Sequence, residues 1–181
     1  MRRQILKRRL AYGEENVVVV LCNPNTADDK MDDHTTTKCM NFFRNKGYSL
    51  MTFVNLFTIR SAHPKELRNV IDPVGDNDIA SVLKNADLVV YGWGKLPVYL
   101  MKHYLWNEQE PEFLRSVADP WCFGVNSNGA PTHPARIPLK LVQFRQASAD
   151  AIEAQRLEKK NRKEVKQLLD DLISVILENL S

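Results

Sequence analysis

The hydrophobic positions of the chain fall into four short runs separated by mixed stretches. The runs occupy residues 17–22 (VVVVLC), 48–57 (YSLMTFVNLF), 87–94 (DLVVYGWG) and 121–125 (WCFGV). The first run is continuous and mostly β-branched, which is typical of a strand buried on both faces of a parallel sheet. Strands that alternate with helical segments indicate an α/β fold. We predict three α/β/α layers around a central, four-stranded, mainly parallel sheet.

Helical spacing of apolar residues predicts the segments between and after these runs. The helices between the runs are expected at Thr35–Lys46, Asn77–Asn85 and Pro97–Trp106. A separate amphipathic helix is expected near the carboxyl end, where apolar residues recur at helical spacing. Its stripe consists of Val165, Leu168, Leu169, Leu172 and Ile176. We predict that this stripe packs on the sheet or on a partner helix.

The length and composition predict a single domain. A chain of 181 residues with 44% hydrophobic content is long enough for one substantial core. We place that core at residues 17–145, after a basic amino-terminal segment at 1–12 and before a helical element at 146–181. No internal repeat divides the chain.

The charge is unevenly placed, although the net charge is only +3. Two basic clusters stand out, one of Arg2, Arg3, Lys7, Arg8 and Arg9 and one of Lys159, Lys160, Arg162, Lys163 and Lys166. Such clusters suit a polyanion such as nucleic acid. Solvated surface is the ordinary alternative, and both interpretations stay open.

The cysteines and the hydropathy indicate in which cellular compartment the protein is expected. Cys22, Cys39 and Cys122 are widely spaced and show no metal-ligand spacing, so neither a metal site nor a four-cysteine iron–sulfur cluster is expected. Unpaired thiols favour a reducing, cytoplasmic setting. The basic amino end is not followed by the apolar stretch of a signal peptide, and no apolar run is long enough to span a membrane.

Polar residues follow or interrupt the predicted strands, where open α/β sheets bind ligands. Asn23 and Asn25 come directly after the first strand, Asn55 lies in the second, Trp93 ends the third, and His133 follows the fourth. An asparagine within an apolar strand is costly to bury without partners. Its side chain offers both a donor and an acceptor, as recognition of a nucleobase edge requires.

Residues 17–138 resemble the uracil-DNA glycosylase superfamily. The similarity lies in Cys22-Asn23-Pro24-Asn25, Val54-Asn55-Leu56, Tyr91-Gly92-Trp93-Gly94 and Thr132-His133-Pro134, in that order, with Asn55–His63 (NLFTIRSAH) also similar. The chain also resembles a bacterial and phage family with an Asn-Pro-Ser/Thr-rich motif followed by Asp-Asp. The first resemblance implies a glycosylase-like fold that flips a base out of DNA and hydrolyses its N-glycosidic bond without a cofactor.

The resemblance also implies roles for individual residues. Asn23 would hold the hydrolytic water, Asn55 would bind the base edge, and His133 would donate a hydrogen bond to the base carbonyl. The remaining base-pocket residues would be Pro24, Asn25, Trp93 and a stacking aromatic, for which Phe43, Phe42 and His34 are candidates. Contacts to DNA would come from Arg136, Arg60 and the apolar wedge Ile137.

Two departures from the superfamily pattern affect the expected substrate and rate. Asn23 stands where the most active uracil enzymes have an aspartate, and a carboxamide is a poor general base. Either slow hydrolysis or help from Asp28, Asp32 or Asp33 is then expected, although Asp33 also suits a helix cap. Asn25 stands where those enzymes have a tyrosine that excludes 5-substituted bases. We therefore expect a 5-substituted pyrimidine as substrate.

Three function classes remain open from the sequence. The first is a glycosylase acting on a base in duplex or single-stranded DNA, in repair or in defence against phages. The second is a non-catalytic nucleic-acid-binding protein that retains the base pocket. The third is an enzyme acting on free nucleotides or nucleosides. The sequence leaves the oligomeric state open.

Overall fold

A computed structural model of the chain describes residues 5–24, 31–58, 76–95, 114–115 and 117–179. Its strands are β1 (Ile5–Arg9), β2 (Asn16–Leu21), β3 (Leu50–Asn55), β4 (Leu88–Tyr91), β5 (Trp121–Cys122) and β6 (Val142–Gln143). Its helices are α1 (His34–Arg44), α2 (Asp76–Lys84), α3 (Phe144–Asn179) and a short 3₁₀ helix at Pro134–Arg136. The helix expected at Pro97–Trp106 lies outside the described residues.

The six strands form one mixed sheet in the order β1-β3-β2-β4-β5-β6. The four inner strands run parallel, while β1 pairs antiparallel with β3 and β6 pairs antiparallel with β5. The fold is therefore α/β, as expected, but the prediction of a four-stranded, mainly parallel sheet is wrong. Both missed strands lie at the sheet edges, where one neighbour and partial exposure leave no continuous apolar run.

β1 lies within the basic amino-terminal segment. Leu6 and Leu10 are buried against the sheet, and the backbone of Ile5–Arg9 pairs with β3. Arg8 on this strand forms a salt bridge to Asp32, with Nε 2.7 Å from Oδ1. The segment at residues 5–9 is thus part of the sheet, and one of its cations is already paired within the fold.

Helices cover both faces of the sheet. The side chains of β2 alternate between the two faces, so they pack against helices on both. Val18 belongs to a buried cluster that contains Ile79 of α2 and Phe144 of α3. Val19 belongs to the cluster on the opposite face, which contains Phe43 of α1. All four valines of β2 have no solvent exposure, which confirms the prediction of a strand buried on both faces.

The beginning of α3 packs on the sheet, and the part of it from 156 to 174 does not. Phe144 and Ser148 are buried, whereas every residue from 156 to 174 is exposed. The prediction that the carboxyl-terminal stripe packs on the sheet is therefore wrong, and packing on a partner helix stays a prediction. In the described part of the chain, no helix combines the length and the apolar character needed to cross a membrane.

Candidate functional site

The predicted site residues lie at the carboxyl edge of the parallel strands. Asn55 is the last residue of β3 and pairs in register with Leu21 at the end of β2. Asn23 follows two residues later, beyond Cys22, whose carbonyl accepts a hydrogen bond from the Phe57 N–H at 2.9 Å. The end of β4 is held alongside by a bond from the Gly92 N–H to the Val20 carbonyl. The ladder therefore continues just past the strands and fixes the loops that carry the site.

Two adjoining cavities share Asn23, Thr35 and His133 among their lining residues. The large cavity has a volume of about 340 Å³, and its polar lining includes Asn23, Lys95, Asn126, His133 and Arg136. The small cavity has a volume of about 50 Å³, and its polar lining includes Asn23, Asp33, Thr36, Asn55 and His133. The small cavity has room for ordered water and the polar partners that water requires.

Asn23 and Asn55 both face the small cavity. Asn55 is only 2% exposed, and burial of an amide is costly unless hydrogen bonds replace those to water. The Asn23 Nδ2 donates to the Pro24 carbonyl at 3.2 Å, which orients the amide group. Pro24 is itself buried and lines the same cavity. The structure thus brings Asn23, Pro24 and Asn55 together as expected.

Asp33 both caps α1 and lines the small cavity, as its sequence context suggested. Its carboxylate accepts a hydrogen bond from the Thr36 N–H at 2.8 Å and caps α1, as expected for an aspartate before a helix. It also lines the small cavity beside Asn23. Asp32 is paired with Arg8 instead. Asn25, Asp28 and Arg60 lie outside the described residues.

His133 caps the short 3₁₀ helix and thereby fixes its own tautomer. The Ala135 N–H donates to the His133 Nδ1 at 3.3 Å, so Nδ1 carries a lone pair and the proton of the neutral ring sits on Nε2. Burial and the nearby Arg136 lower the pKa of His133, with a smaller opposing influence from Asp33. At neutral pH the ring is therefore neutral, with one N–H that can donate to an acceptor such as a carbonyl oxygen.

The lowered pKa of His133 predicts a pH-dependent stability. The folded protein binds this proton less readily than the unfolded chain does. The contribution of His133 to stability is therefore complete above pH 6.5, the ordinary pKa of histidine, and is lost as the pH falls below that value. His133→Asn keeps an acceptor for the Ala135 N–H but cannot titrate. We expect the difference in unfolding free energy between the two proteins to change below pH 6.5 and to be flat above it. A flat difference throughout would contradict this assignment.

Lys38 is a site residue that the sequence did not predict. Its Nζ donates to the Pro134 carbonyl at 2.9 Å and to the Ile137 carbonyl at 2.7 Å. These bonds tie α1 to the loop that carries His133. The acceptors are backbone groups almost 100 residues away, so no side-chain pattern could have indicated them. Lys38 therefore positions the histidine loop without lining either cavity.

Loss of the Lys38 contacts should destabilise the protein. Lys38→Met keeps much of the aliphatic stem but leaves two carbonyls without their charged donor, and hydrogen bonds to charged groups contribute about 1.5–3 kcal/mol each. Because Lys38 is only half-buried, we expect the low end of the sum of two such bonds, so Lys38→Met should lower the unfolding free energy by about 3 kcal/mol in urea denaturation. Lys140→Met is the matched control, because Lys140 is exposed on the surface. Equal stability of the two variants would contradict the positioning role.

Two glycines allow the histidine loop to lie against the end of β4. A Cβ added at Gly92 would lie 3.1 Å from the Pro134 Cδ, and one at Gly94 would lie 3.4 Å from the His133 Cβ. Gly94 also has a φ of 80°, which side chains disfavour. Between them, Trp93 is 5% exposed and packs on Tyr91 with ring centroids 4.6 Å apart. Trp93 is thus mainly a core residue that also lines the large cavity.

The remaining predicted residues differ in their position relative to the cavities. Phe43 lies in the core with no exposure, and its ring centroid is 5.7 Å from that of Tyr48. Phe43 lines neither cavity, so the prediction that it stacks on the base is wrong. Its position on α1 turns the ring into the hydrophobic core. Ile137, the predicted wedge, is half-buried against the same core cluster. Arg136 is exposed and lines the large cavity.

The electrostatics of the large cavity favour an anionic or polar ligand. Lys95 and Arg136 line it, and none of its described lining residues is acidic. Cys22 also lines it, but burial raises the pKa of the Cys22 thiol to about 12. That thiol stays protonated and is not suited to act as a nucleophile. In the ranges that the structure describes, no group of three His, Cys, Asp or Glu side chains could hold a metal ion.

Comparison with known proteins places the chain in one family. No curated protein and no solved structure matches it. A family model does match residues 3–135, a range that contains β1 to β5 and the site residues from Asn23 to His133. That match covers well over half of the chain. The chain therefore belongs to the family described as "Protein of unknown function (DUF1643)".

Proposed function

We propose that this protein is a DNA glycosylase-like hydrolase that flips a 5-substituted pyrimidine and cleaves its N-glycosidic bond, leaving an abasic site. One observation carries the proposal. Asn23, Asn55 and His133, from three separate parts of the chain, line the small cavity at the carboxyl ends of parallel strands, and Asn23 and His133 also line the large cavity beside it. The same residues carry the resemblance to the uracil-DNA glycosylase superfamily, whose layered fold we propose for this chain as well.

The large cavity suits a flipped base and the adjoining sugar-phosphate. Its volume of about 340 Å³ falls at the lower end of the range of about 300–1,000 Å³ that small-molecule sites occupy. Asn126 and His133 provide polar contacts, and Trp93 provides an aromatic surface. Lys95 and Arg136 suit phosphate, since cationic side chains at a site rim position the nucleic-acid backbone. The proposed partner is DNA, either a duplex with one base extruded or a single strand.

The small cavity suits the attacking water. In the proposed reaction the water oxygen forms a bond to C1′ of the sugar while the bond from C1′ to the base nitrogen breaks. The electron pair of the broken bond remains on the base. The water proton passes to Asp33 or to solvent, because the carboxamide of Asn23 orients water but accepts a proton poorly. Asn23, which lines both cavities, would orient this water, and Asn55, which lines the small cavity, would bind the base edge where the two cavities adjoin.

His133 would stabilise the departing base. As the bond breaks, negative charge develops on the base and spreads to its carbonyl oxygens. A neutral imidazole with its proton on Nε2 can donate to such an oxygen without itself being consumed, and a donor fixed in advance lowers the barrier most. The cap on Nδ1 and the brace from Lys38 support this orientation.

The decisive experiment measures abasic sites. The protein is incubated with single- and double-stranded DNA that carries uracil, mismatched thymine or bulky 5-substituted cytosines, and alkali-labile strand breaks are quantified. We expect breaks at one or more of the 5-substituted bases, and equal activity from His34→Ala, whose histidine is exposed and lines neither cavity. No breaks on any substrate, where a uracil-DNA glycosylase is active on uracil, would contradict the proposal.

A second candidate is a nucleic-acid-binding protein that retains the pocket without hydrolysis. Asn23 favours it, because this position lacks the carboxylate that would activate water. The same DNA substrates distinguish the candidates. A protein that binds the modified DNA, with an affinity that falls as the salt concentration rises, and that forms no abasic sites would be a binder. Release of base from free nucleosides but not from DNA would identify the third class.

A further inference from the structure

The outer part of α3 is a helix that its own domain leaves uncovered. At about 1.5 Å per residue, the 36 residues of Phe144–Asn179 extend for about 54 Å. Phe144 and Ser148 are buried at the start of the helix, but every residue from 156 to 174 is exposed. More than five turns of this helix therefore lie beyond the contacts with the sheet.

An apolar stripe runs along this uncovered part. We call it the α3 stripe; it consists of Val165, Leu168, Leu169, Leu172 and Ile173. The positions are spaced i, i+3, i+4, i+7 and i+8, so they share one face of the helix. Each side chain is between 53% and 68% exposed. A contiguous apolar face of this kind, flanked by charge, marks an interaction surface.

The charges along the helix indicate what covers the stripe. Residues 159–166 contain five basic residues and one acidic residue, whereas residues 167–174 contain Asp170 and Asp171 and no basic residue. Some of the basic side chains are engaged within the helix, since Arg162 pairs with Glu158 and Lys160 with Glu164. Such exposed pairs contribute little and exchange readily. The helix is thus basic up to the first turn of the stripe and acidic along the rest of it.

We propose that a second copy of this chain covers the α3 stripe in an antiparallel helix pair. A twofold axis between Leu168 and Leu169 sets these two residues at the same height on opposite helices, and it does the same for Val165 and Leu172. Residues 159–166 of each helix then lie level with residues 171–178 of its partner, a stretch with two acidic residues and no basic one, and Lys166 lies level with Asp171. The helix dipoles oppose each other. A parallel pair would set like charges side by side. The inference does not rest on the proposed function, because the stripe lies outside both cavities.

Association is tested on the full chain by sedimentation velocity over a range of concentrations. We expect wild type to reach twice the monomer mass of 20.8 kDa. Leu168→Lys should weaken association by about tenfold or more, as loss of a central interface side chain does. Ser174→Lys adds the same charge on the opposite face of the helix and should associate as wild type does. A wild-type chain that stays monomeric, or association unaffected by Leu168→Lys, would overturn the proposal.

Orientation is tested with introduced cysteines, since the native Cys22, Cys39 and Cys122 are buried. Val165→Cys and Leu172→Cys chains are mixed in a glutathione redox buffer, and the disulfides are identified by mass spectrometry. The antiparallel pair should favour the mixed 165–172 disulfide over the 165–165 and 172–172 disulfides. A majority of like-with-like disulfides would overturn the antiparallel arrangement. Binding of DNA or anionic vesicles that is lost in Leu168→Lys, with no self-association, would overturn the second copy as occupant.

Discussion

Replacement of His133 by alanine is expected to slow base release by about 10²–10³-fold. This is the usual effect of removing one preorganised hydrogen-bond donor that stabilises an anion as it forms in the transition state. The physical reason lies in the tautomer. The Ala135 N–H occupies the lone pair of Nδ1, and burial lowers the pKa of the ring, so the neutral imidazole carries its proton on Nε2. Single-turnover rates of abasic-site formation provide the measurement.

A control separates this chemistry from folding. His133→Asn retains an acceptor for the Ala135 N–H but lacks the ring Nε2–H, so above pH 6.5 it should lose activity while it keeps the cap on the 3₁₀ helix. His133→Ala should lose the cap as well, at about 1 kcal/mol. An alanine variant that folds and releases base at the wild-type rate would contradict a role for His133 in the reaction.

Replacement of Asn23 by aspartate is expected to accelerate base release by about 10²–10⁴-fold, the usual contribution of a general base. The carboxylate would accept the proton of the attacking water, which the carboxamide does poorly. The gain should appear as the pH rises through the pKa of the new carboxyl group. It should also cost stability, because a carboxylate in place of Nδ2 would face the Pro24 carbonyl that Asn23 now donates to.

Asn23→Ala is the matched control for this gain. Alanine removes the amide that orients water and should slow the reaction, whereas aspartate should accelerate it. The two substitutions therefore move the rate in opposite directions if water is bound at this position. Equal rates for the aspartate and alanine variants would show that position 23 does not contact the nucleophile.

The inner part of the sheet was predictable because full burial leaves a simple pattern. Val17–Val20 must be apolar at every position, since both faces of β2 are covered by helices. The Asn-Pro that follows marked the end of this strand. The polar residues that follow several such strands were expected together at the carboxyl edge of the sheet. That reasoning brought Asn23, Asn55 and His133 to one edge of the sheet, and in the structure all three line the small cavity there.

The rest could not be predicted from local pattern. β1 is half-exposed and carries Lys7, Arg8 and Arg9, so its sequence resembles a solvated basic segment until its partner β3 is known. Phe43 has the same helical spacing whether its helix turns it to the core or to a cavity. The two bonds of Lys38 end on backbone carbonyls, which carry no sequence information.

The position of β2 at the centre of the sheet has a consequence for synthesis of the chain. The start of β2 is held beside the start of β4 by a bond from the Asn16 N–H to Asp87, 71 residues later. At about 5–20 residues per second, the ribosome exposes this all-apolar strand for about 4–14 s before that neighbour exists. Charged residues precede the strand, Glu14 and Glu15 directly and Lys7, Arg8 and Arg9 in β1, and charges that flank an apolar strand limit its aggregation. We therefore expect neutral replacements at these positions to lower the yield of soluble protein during synthesis more than they lower the stability of the finished fold.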